Sequence, residues 1–421
     1  MNEINLHSKY RGKVIVKVTL WVLLFLAFFG LKILDKASHS DFVLFPLMIS
    51  LTIFLIQKKT LYSKLIIVYV ISVALSCLYS YFYNHQSLLL VVVHSYNFFS
   101  LLFFFYLMRV KPTAAEAEKV LITVAVICCC CYILQWMIYP TISLFFSIDE
   151  WMGATDGRYR ARIPGSISCY CLLMYGINKY TLTREKKYLC PLVLGFIPII
   201  VMGFRTLVFL TAVAAFIIIP FITRNLRRTA LYSMLGVAFV VAILQTNLVQ
   251  SKLEEMLDRQ ENEQTFENDE YIRYREFDYY WNEYFTKPGE KFFGGGVPVD
   301  MSTKYRRDVY YNDYAFSDLG MVGCSMIIGM PAVFVLVLLY IICIWRNTEP
   351  EFQYLRFTLL IVLLGSVFTT TEMFRDGNIL LLSIILYIEY IHHVPSDTVV
   401  KENSFKVIMP GKSPFMKKRI T

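Results

Sequence analysis

YLCPLVLGFIPIIVMGFRTLVFLTAVAAFIIIPFI, residues 188–222, holds one charged side chain, Arg205 at its centre. Split there, the stretch gives two apolar helices, 188–204 and 206–222. At about 1.5 Å rise per residue, each approaches the roughly 30 Å hydrocarbon core of a bilayer. They meet at GFRT, with almost no loop to carry Arg205 into water. An unpaired arginine near hydrocarbon costs about 2.5–3.5 kcal/mol on insertion scales. Arg205 therefore needs an anionic partner or a route to the interface.

The same pattern recurs outward in both directions. Of 421 residues, 57% are hydrophobic and 17% charged, and the mean hydropathy is +0.52, more than a soluble chain of this size needs for its core. The fold class that follows is an all-α polytopic membrane protein. Twelve spans are predicted, over residues of about 14–34, 42–56, 64–83, 88–108, 119–139, 166–180, 188–204, 206–222, 230–248, 316–345, 354–371 and 376–392. The second and sixth are short, and the tenth is long enough to tilt or to begin in the interface. Residues 1–248 thus hold spans one to nine, 249–315 one large extracytoplasmic loop, 316–392 spans ten to twelve, and 393–421 a cytoplasmic tail.

The net charge of +9 sits in short basic runs between spans, which is a topology signal and not a nucleic-acid footprint. With the N-terminus inside, the inner connections are QKKTLYSK, RVKPTAAEAEK, NKYTLTREKK, TRNLRR and WRNTEPEFQYLR, and the tail ends KSPFMKKRIT. Nearly all are basic, whereas LDKASHSD and NHQS on the other side are not. Both termini are then cytoplasmic, and residues 250–314 face outward. Ten cysteines, four of them consecutive at 128–131, lie in or beside spans and none in the outer loop, which supports neither a disulfide framework nor a zinc site. No small-residue cleavage site follows the first span, so it reads as an uncleaved helix.

Three outward-facing places break the positive-inside pattern. RYRARIPG (158–165) brings Arg158, Arg160 and Arg162, GFRT brings Arg205, and TTTEMFRDGN (369–378) brings Arg375. A guanidinium at such a place can snorkel to outer-leaflet phosphate. Alternatively these residues converge with Arg273, Arg275, Arg306 and Arg307 on one anionic ligand, whose phosphate oxygens match the fixed fork of donors. The loop holds 15 of the 32 acidic residues against 9 Lys and Arg, so it faces water. Its segment YIRYREFDYYWNEYF (271–285) includes Tyr279 and Trp281, which suit either pyranose stacking or the membrane interface. Gly294, Gly295 and Gly296 lack the strand and the Lys-Ser/Thr helix of a nucleotide loop and read as a tight turn back to the bilayer. Glu276, Asp278, Glu283, Asp313, Asp318 and Glu372 lie near the arginines and are candidates to deprotonate a sugar hydroxyl. The histidines show no metal spacing.

RYRARIPGSIS (158–168), GFRTLVFL (203–210), RYREFDYYW (273–281), FFGGGVP (292–298) and YNDYAFSDLGMVG (311–323) resemble, in order and sidedness, the O-antigen polymerase and ligase superfamily of bacterial surface-polysaccharide assembly. The resemblance runs from about Arg158 to the end and matches the family's R-x-x-G, S-R-T, Arg/Trp/G-x-G and H-N-x-Y…G-x-x-G stretches. Two positions depart: Phe204 precedes Arg205, and Tyr311 stands where the ligase branch carries a histidine before Asn312. The second favours the polymerase branch.

The resemblance implies metal-independent glycosyl transfer without a cofactor, on the outer face of the bacterial cytoplasmic membrane. The donor would be a growing glycan on undecaprenyl pyrophosphate and the acceptor a lipid-linked repeat unit. A chain-length regulator and a flippase of the same pathway would be partners. It assigns Arg205, Arg275 and Arg375 to the pyrophosphate, with Arg160, Arg162 and Arg273 in support. Tyr279 and Trp281 would contact sugar, and Asp313 or Glu276 would be the base. Two rivals stand beside it. A ligase would move finished glycan to another acceptor, and a twelve-span transporter or flippase would use a midplane site between repeats.

Overall fold

A computed structural model describes residue 50 and residues 60–138, 141–145, 165–202, 205–223, 272–287, 289–299, 316–346, 349–368, 372–375 and 377–393; of Arg205 and Arg273 it describes the backbone alone. Among these residues there are helices and connections and no β-strand. The predicted spans 14–34 and 230–248, the 42–56 span apart from Ser50, and the tail beyond 393 lie outside the described residues.

The helices are α1 (Leu61–Asn84), α2 (Leu88–His94), α3 (Tyr96–Val110), α4 (Ala114–Ile138), α5 (Ile167–Thr183), α6 (Leu189–Met202), α7 (Arg205–Thr223), α8 (Ile272–Asp278), α9 (Gly320–Ile328), α10 (Met330–Trp345), α11 (Gln353–Phe368) and α12 (Asn378–His393). α1 and α4 are long and apolar enough to cross a membrane, and the bent pair of α2 and α3 makes a third if it is one span and not a re-entrant loop. Both long helices open on a reciprocal cap. Thr60 and Ser63 exchange side chain for backbone N–H at 2.8 and 3.1 Å, and Thr113 and Glu116 do so at 2.9 and 3.2 Å. Each exchange satisfies two donors that a helix start otherwise leaves orphaned.

Contacts between helices fix their directions. Glu118 pairs with Lys179, and the Cys129 and Cys169 sulfurs are 3.8 Å apart, so α4 and α5 run antiparallel. Gly176 lies against Leu192, and Gly195 against Cys169 and Leu173. α6 therefore returns along α5 with Met202 level with Ser166. A Cβ on either glycine would meet α5 or α6 backbone at 2.5–2.6 Å, so the two helices touch at their main chains. α10 runs against α1: Ser76 reaches Ile327 near one end, and the Arg346 guanidinium lies 4.9 Å over the Tyr62 ring at the other. This alternation is what a polytopic chain requires. One end of the bundle carries Ser166, Met202 and Arg375; the other carries Lys179, Pro350 and Tyr354.

Two predicted spans are interrupted. The fourth bends by 60° between α2 and α3, where the Ser95 hydroxyl donates to Val91 O at 2.7 Å. The tenth is two helices separated at Gly329, which has φ 89° and is not a helical residue. The cause lies two residues on. Pro331 has no N–H to give the Ile327 carbonyl, so a continuous helix would leave that oxygen bare in an apolar surrounding.

Candidate functional site

The break at Gly329 is filled by the glycines of the 294–296 stretch. Gly295 N–H donates to Met326 O at 2.7 Å and Gly296 N–H to Ile327 O at 3.0 Å, while the Ser76 hydroxyl adds a second bond to Ile327 O at 2.6 Å. Asn84 Nδ2 holds Gly295 O at 3.0 Å, and Gln86 Oε1 accepts from Val299 N–H at 2.9 Å. The Lys287 ammonium donates to Tyr83 O and to Asn84 Oδ1. A Cβ on Gly294 would meet Gly329 N at 2.6 Å, and one on Gly296 would meet Ser80 Cβ at 2.5 Å. The expected tight turn is thus a segment laid into the bundle. Its glycines are required by close approach of backbone to backbone.

The same loop packs aromatic residues on the bundle. α8 continues as a π-helical turn, Tyr279–Tyr284, and Tyr280 is buried against Phe285, Phe316 and Met326, its ring 4.3 Å from that of Phe316. Tyr279 is half-buried beside this cluster. Trp281 stacks on Phe277 at 5.7 Å, with the Lys291 ammonium 4.6 Å over its ring. Arg275 is exposed and its neighbour Glu276 is only 2% exposed, so the two take different sides of α8. Phe316 leads into Gly320, whose Cβ would meet Ser366 O at 2.4 Å, and the Ser366 hydroxyl accepts from Met373 N–H at 2.7 Å. These contacts join the loop to the turn that carries Arg375.

That turn, Glu372–Phe374, is the centre of a buried polar network. Arg375 Nη2 lies 2.6 Å from Glu372 Oε1, and the Ser166 hydroxyl donates to Glu372 Oε2. Asn378 Nδ2 reaches Glu372 O at 2.5 Å and Ser166 Oγ at 3.3 Å, while its Oδ1 accepts from Ile167 N–H at 3.2 Å. Asn97 Oδ1 accepts from Gly377 N–H at 3.3 Å. The network binds the starts of α5 and α12, the end of α11 and the bend before α3 into one unit. Asn97 lies two residues past Ser95, which Cys77 contacts at 3.5 Å. The turn is therefore about two helical turns, roughly 10 Å, short of the end of α1. It is recessed in the bundle.

Of the residues singled out in the sequence, Arg375 is thus paired with Glu372 in a recess. Arg205 begins α7 directly after α6, so its backbone lies at the same end as Ser166. Arg273, Arg275, Glu276, Tyr279 and Trp281 belong to α8 and the turn after it. Arg160, Arg162 and Asp313 lie outside the described residues, as do Arg158, Arg306 and Arg307. Ser166, Asn378 and Asn97 escape a sequence reading that takes the arginines of RYRARIPGSIS and TTTEMFRDGN and passes over the amide and hydroxyl beside them. Among the described residues no group of His, Cys, Asp or Glu is arranged to hold a metal ion. No protein-family model matches this chain, and no curated protein sequence matches it.

Proposed function

We propose that this protein polymerises undecaprenyl-pyrophosphate-linked oligosaccharide repeat units into O-antigen or capsular polysaccharide at the outer face of the bacterial cytoplasmic membrane. The observation that carries the reading is the sharing of one bundle end by three junctions far apart in the chain. These are Ser166, which follows the 158–165 arginine stretch, the start of α7 at Arg205, and the Arg375 turn. The outer loop that carries the family-like motifs is packed on the same assembly through Phe316, Gly320 and Ser366.

The chemistry follows from the leaving group. The acceptor hydroxyl attacks the anomeric carbon of the donor sugar, the bond from that carbon to the pyrophosphate oxygen breaks, and the electron pair leaves on the lipid pyrophosphate. Fixed guanidinium charges in a recess that excludes water stabilise that developing charge without reorganising. The hydroxyl proton passes to a carboxylate, Asp313 or Glu276. Tyr279 and Trp281 make the sugar contacts from their half-buried positions.

The test is gel analysis of surface polysaccharide from a deletion strain carrying wild type or Arg205→Ala, with the membrane level of each protein checked. Single repeat units on the final acceptor, or accumulated single lipid-linked repeats, support polymerisation and the role of the arginine. Long chains that collect on the lipid carrier without reaching an acceptor mark a ligase. A normal ladder from Arg205→Ala removes Arg205 from the reading.

A further inference from the structure

The members of the Arg375 network are not buried alike. Glu372, Ser166 and Asn378 are 0% exposed, whereas Arg375 keeps 9%. The terminal nitrogens Nη1 and Nη2 are themselves enclosed, so that 9% belongs to the rest of the side chain, and a ligand meets the guanidinium inside the bundle. A guanidinium is planar, with its five donors in a rigid fork, so holding one edge fixes the direction of the others. Here one edge is held by Glu372, whose own position is set twice over. The Ser166 hydroxyl donates to its second carboxylate oxygen, and the Asn378 amide holds its main-chain carbonyl.

Resting on the reading that Arg375 meets a phosphate, we propose that Glu372 and Ser166 are positioning residues that aim the Arg375 guanidinium at a pyrophosphoryl group entering the recess. Glu372 is then no proton acceptor for the sugar hydroxyl. Its carboxylate is enclosed, and it is spent on Arg375 and Ser166. Ser166 also ties this aim to α5, because Asn378 holds both the Ser166 hydroxyl and the Ile167 N–H. A phosphate-bearing ligand and the chain leading into α5 thereby act on the same four side chains: Ser166, Glu372, Arg375 and Asn378.

The test uses the full chain in nanodiscs and inorganic pyrophosphate as the probe, with affinity read by calorimetry and each variant checked for monodisperse elution. Arg375→Ala is expected to abolish binding. Glu372→Gln should weaken it about tenfold, the size of a charge-assisted hydrogen bond. Ser166→Ala should weaken it several-fold, with Ser166→Thr restoring it. Glu118→Gln, which disturbs the far end of α5, should leave the affinity unchanged.

Pyrophosphate affinity equal to or tighter than wild type in Glu372→Gln overturns the proposal, as does full binding by Arg375→Ala. Where Glu372→Gln does not accumulate, Ser166→Ala decides alone, since it removes a single hydroxyl. Nanodiscs of phosphatidylglycerol and of phosphatidylcholine separate the two sources of phosphate. Pyrophosphate binding lost only in phosphatidylglycerol, with the variant series intact, upholds the positioning role but makes a lipid headgroup the ligand. That outcome takes Arg375 out of the polymerisation reading, which the polysaccharide ladder judges separately.

Discussion

Two buried ion pairs bracket α5, one at each end, and they are built differently. At the Lys179 end, Lys179 Nζ of α5 meets Glu118 Oε1 of α4 at 3.0 Å. The Tyr354 hydroxyl of α11 reaches the same oxygen at 3.2 Å, and the ammonium lies 5.5 Å from the Tyr175 ring centroid and 5.4 Å from that of Phe352. Asn178 beside it donates to Pro350 O and Glu351 O. All of these contacts except that of Lys179 with Tyr175 cross between elements, so this pair is a staple. At the Arg375 end the partners are three residues apart in one short turn, so their attraction joins no two helices; Ser166 and Asn378 do that. A buried ion pair is seldom more stable than apolar residues of the same shape. Where it also joins nothing, its charge has to be explained by function.

The largest effect is therefore expected from removing each pair as a unit. Glu372→Leu with Arg375→Met should leave a folded protein at wild-type membrane level and no polymer above single repeats, a loss of two orders of magnitude or more in chain-bearing product. Glu118→Leu with Lys179→Met should leave the polysaccharide ladder in place. A normal ladder from the first double variant would make both pairs structural and break the comparison.

Single removals should reverse the ranking when stability is read. Lys179→Met leaves Glu118 among aromatic rings without its cation. Both side chains are mostly enclosed, at 11% and 17% exposure. Breaking a buried pair by removing one member costs about 3 kcal/mol or more, whereas replacing both members by apolar residues of similar volume is often neutral or stabilising. Thermal unfolding in detergent should show Lys179→Met well below wild type, with Glu118→Leu added on top recovering most of the loss. If the double variant is as unstable as the single, the packing of the Lys179 stem, and not its charge, holds that end.

How far the sequence discloses this arrangement depends on the kind of signal. Apolar runs are legible because a long apolar stretch satisfies its backbone as a helix and buries its side chains against others, and α1, α4, α5, α6, α7, α11 and α12 fall where those runs predict. Helix interruptions are less so: the run 319–345 carries no charged residue, and only Gly329 followed by Pro331 marks the break. Lys179 and Glu118 stand in NKYTLTREKK and RVKPTAAEAEK, which read as solvated basic connections. α4 begins at Ala114 and α5 runs on to Thr183, and both residues turn inward, because a charge is legible as exposed only when nothing nearby can pair with it. GFRT and FRDGN show an arginine that needs a partner without showing that Arg375 has one three residues back. Ser166 and Asn378 give no sequence signal, since their role comes from a meeting of segments more than two hundred residues apart.

A third interior contact asks whether charge, or polarity of any kind, separates the two ends. The Ser76 hydroxyl donates to Ile327 O, the carbonyl that Pro331 leaves without a helical partner, and Gly296 N–H donates to the same oxygen. Ser76→Ala removes one of two donors to a carbonyl with two lone pairs. The expected cost is that of one neutral hydrogen bond, about 1 kcal/mol, and a polysaccharide ladder unchanged in length. Gly296→Ala is the harsher counterpart, because its Cβ would lie 2.5 Å from Ser80 Cβ and its φ of 77° suits glycine alone. It displaces the donor and the inserted segment together. If Ser76→Ala is nearly silent while Gly296→Ala unfolds the protein or releases the loop to protease, the break at Gly329 is held by backbone insertion, and polar burial by itself carries no function here. The Arg375 end then differs from both other sites in one respect, a guanidinium whose ion pair lies within a single turn. If Ser76→Ala instead shortens the ladder as severely as the loss of Arg375, the inserted loop and the recess work as one unit, and the contrast between the two ends of α5 must be redrawn around the loop.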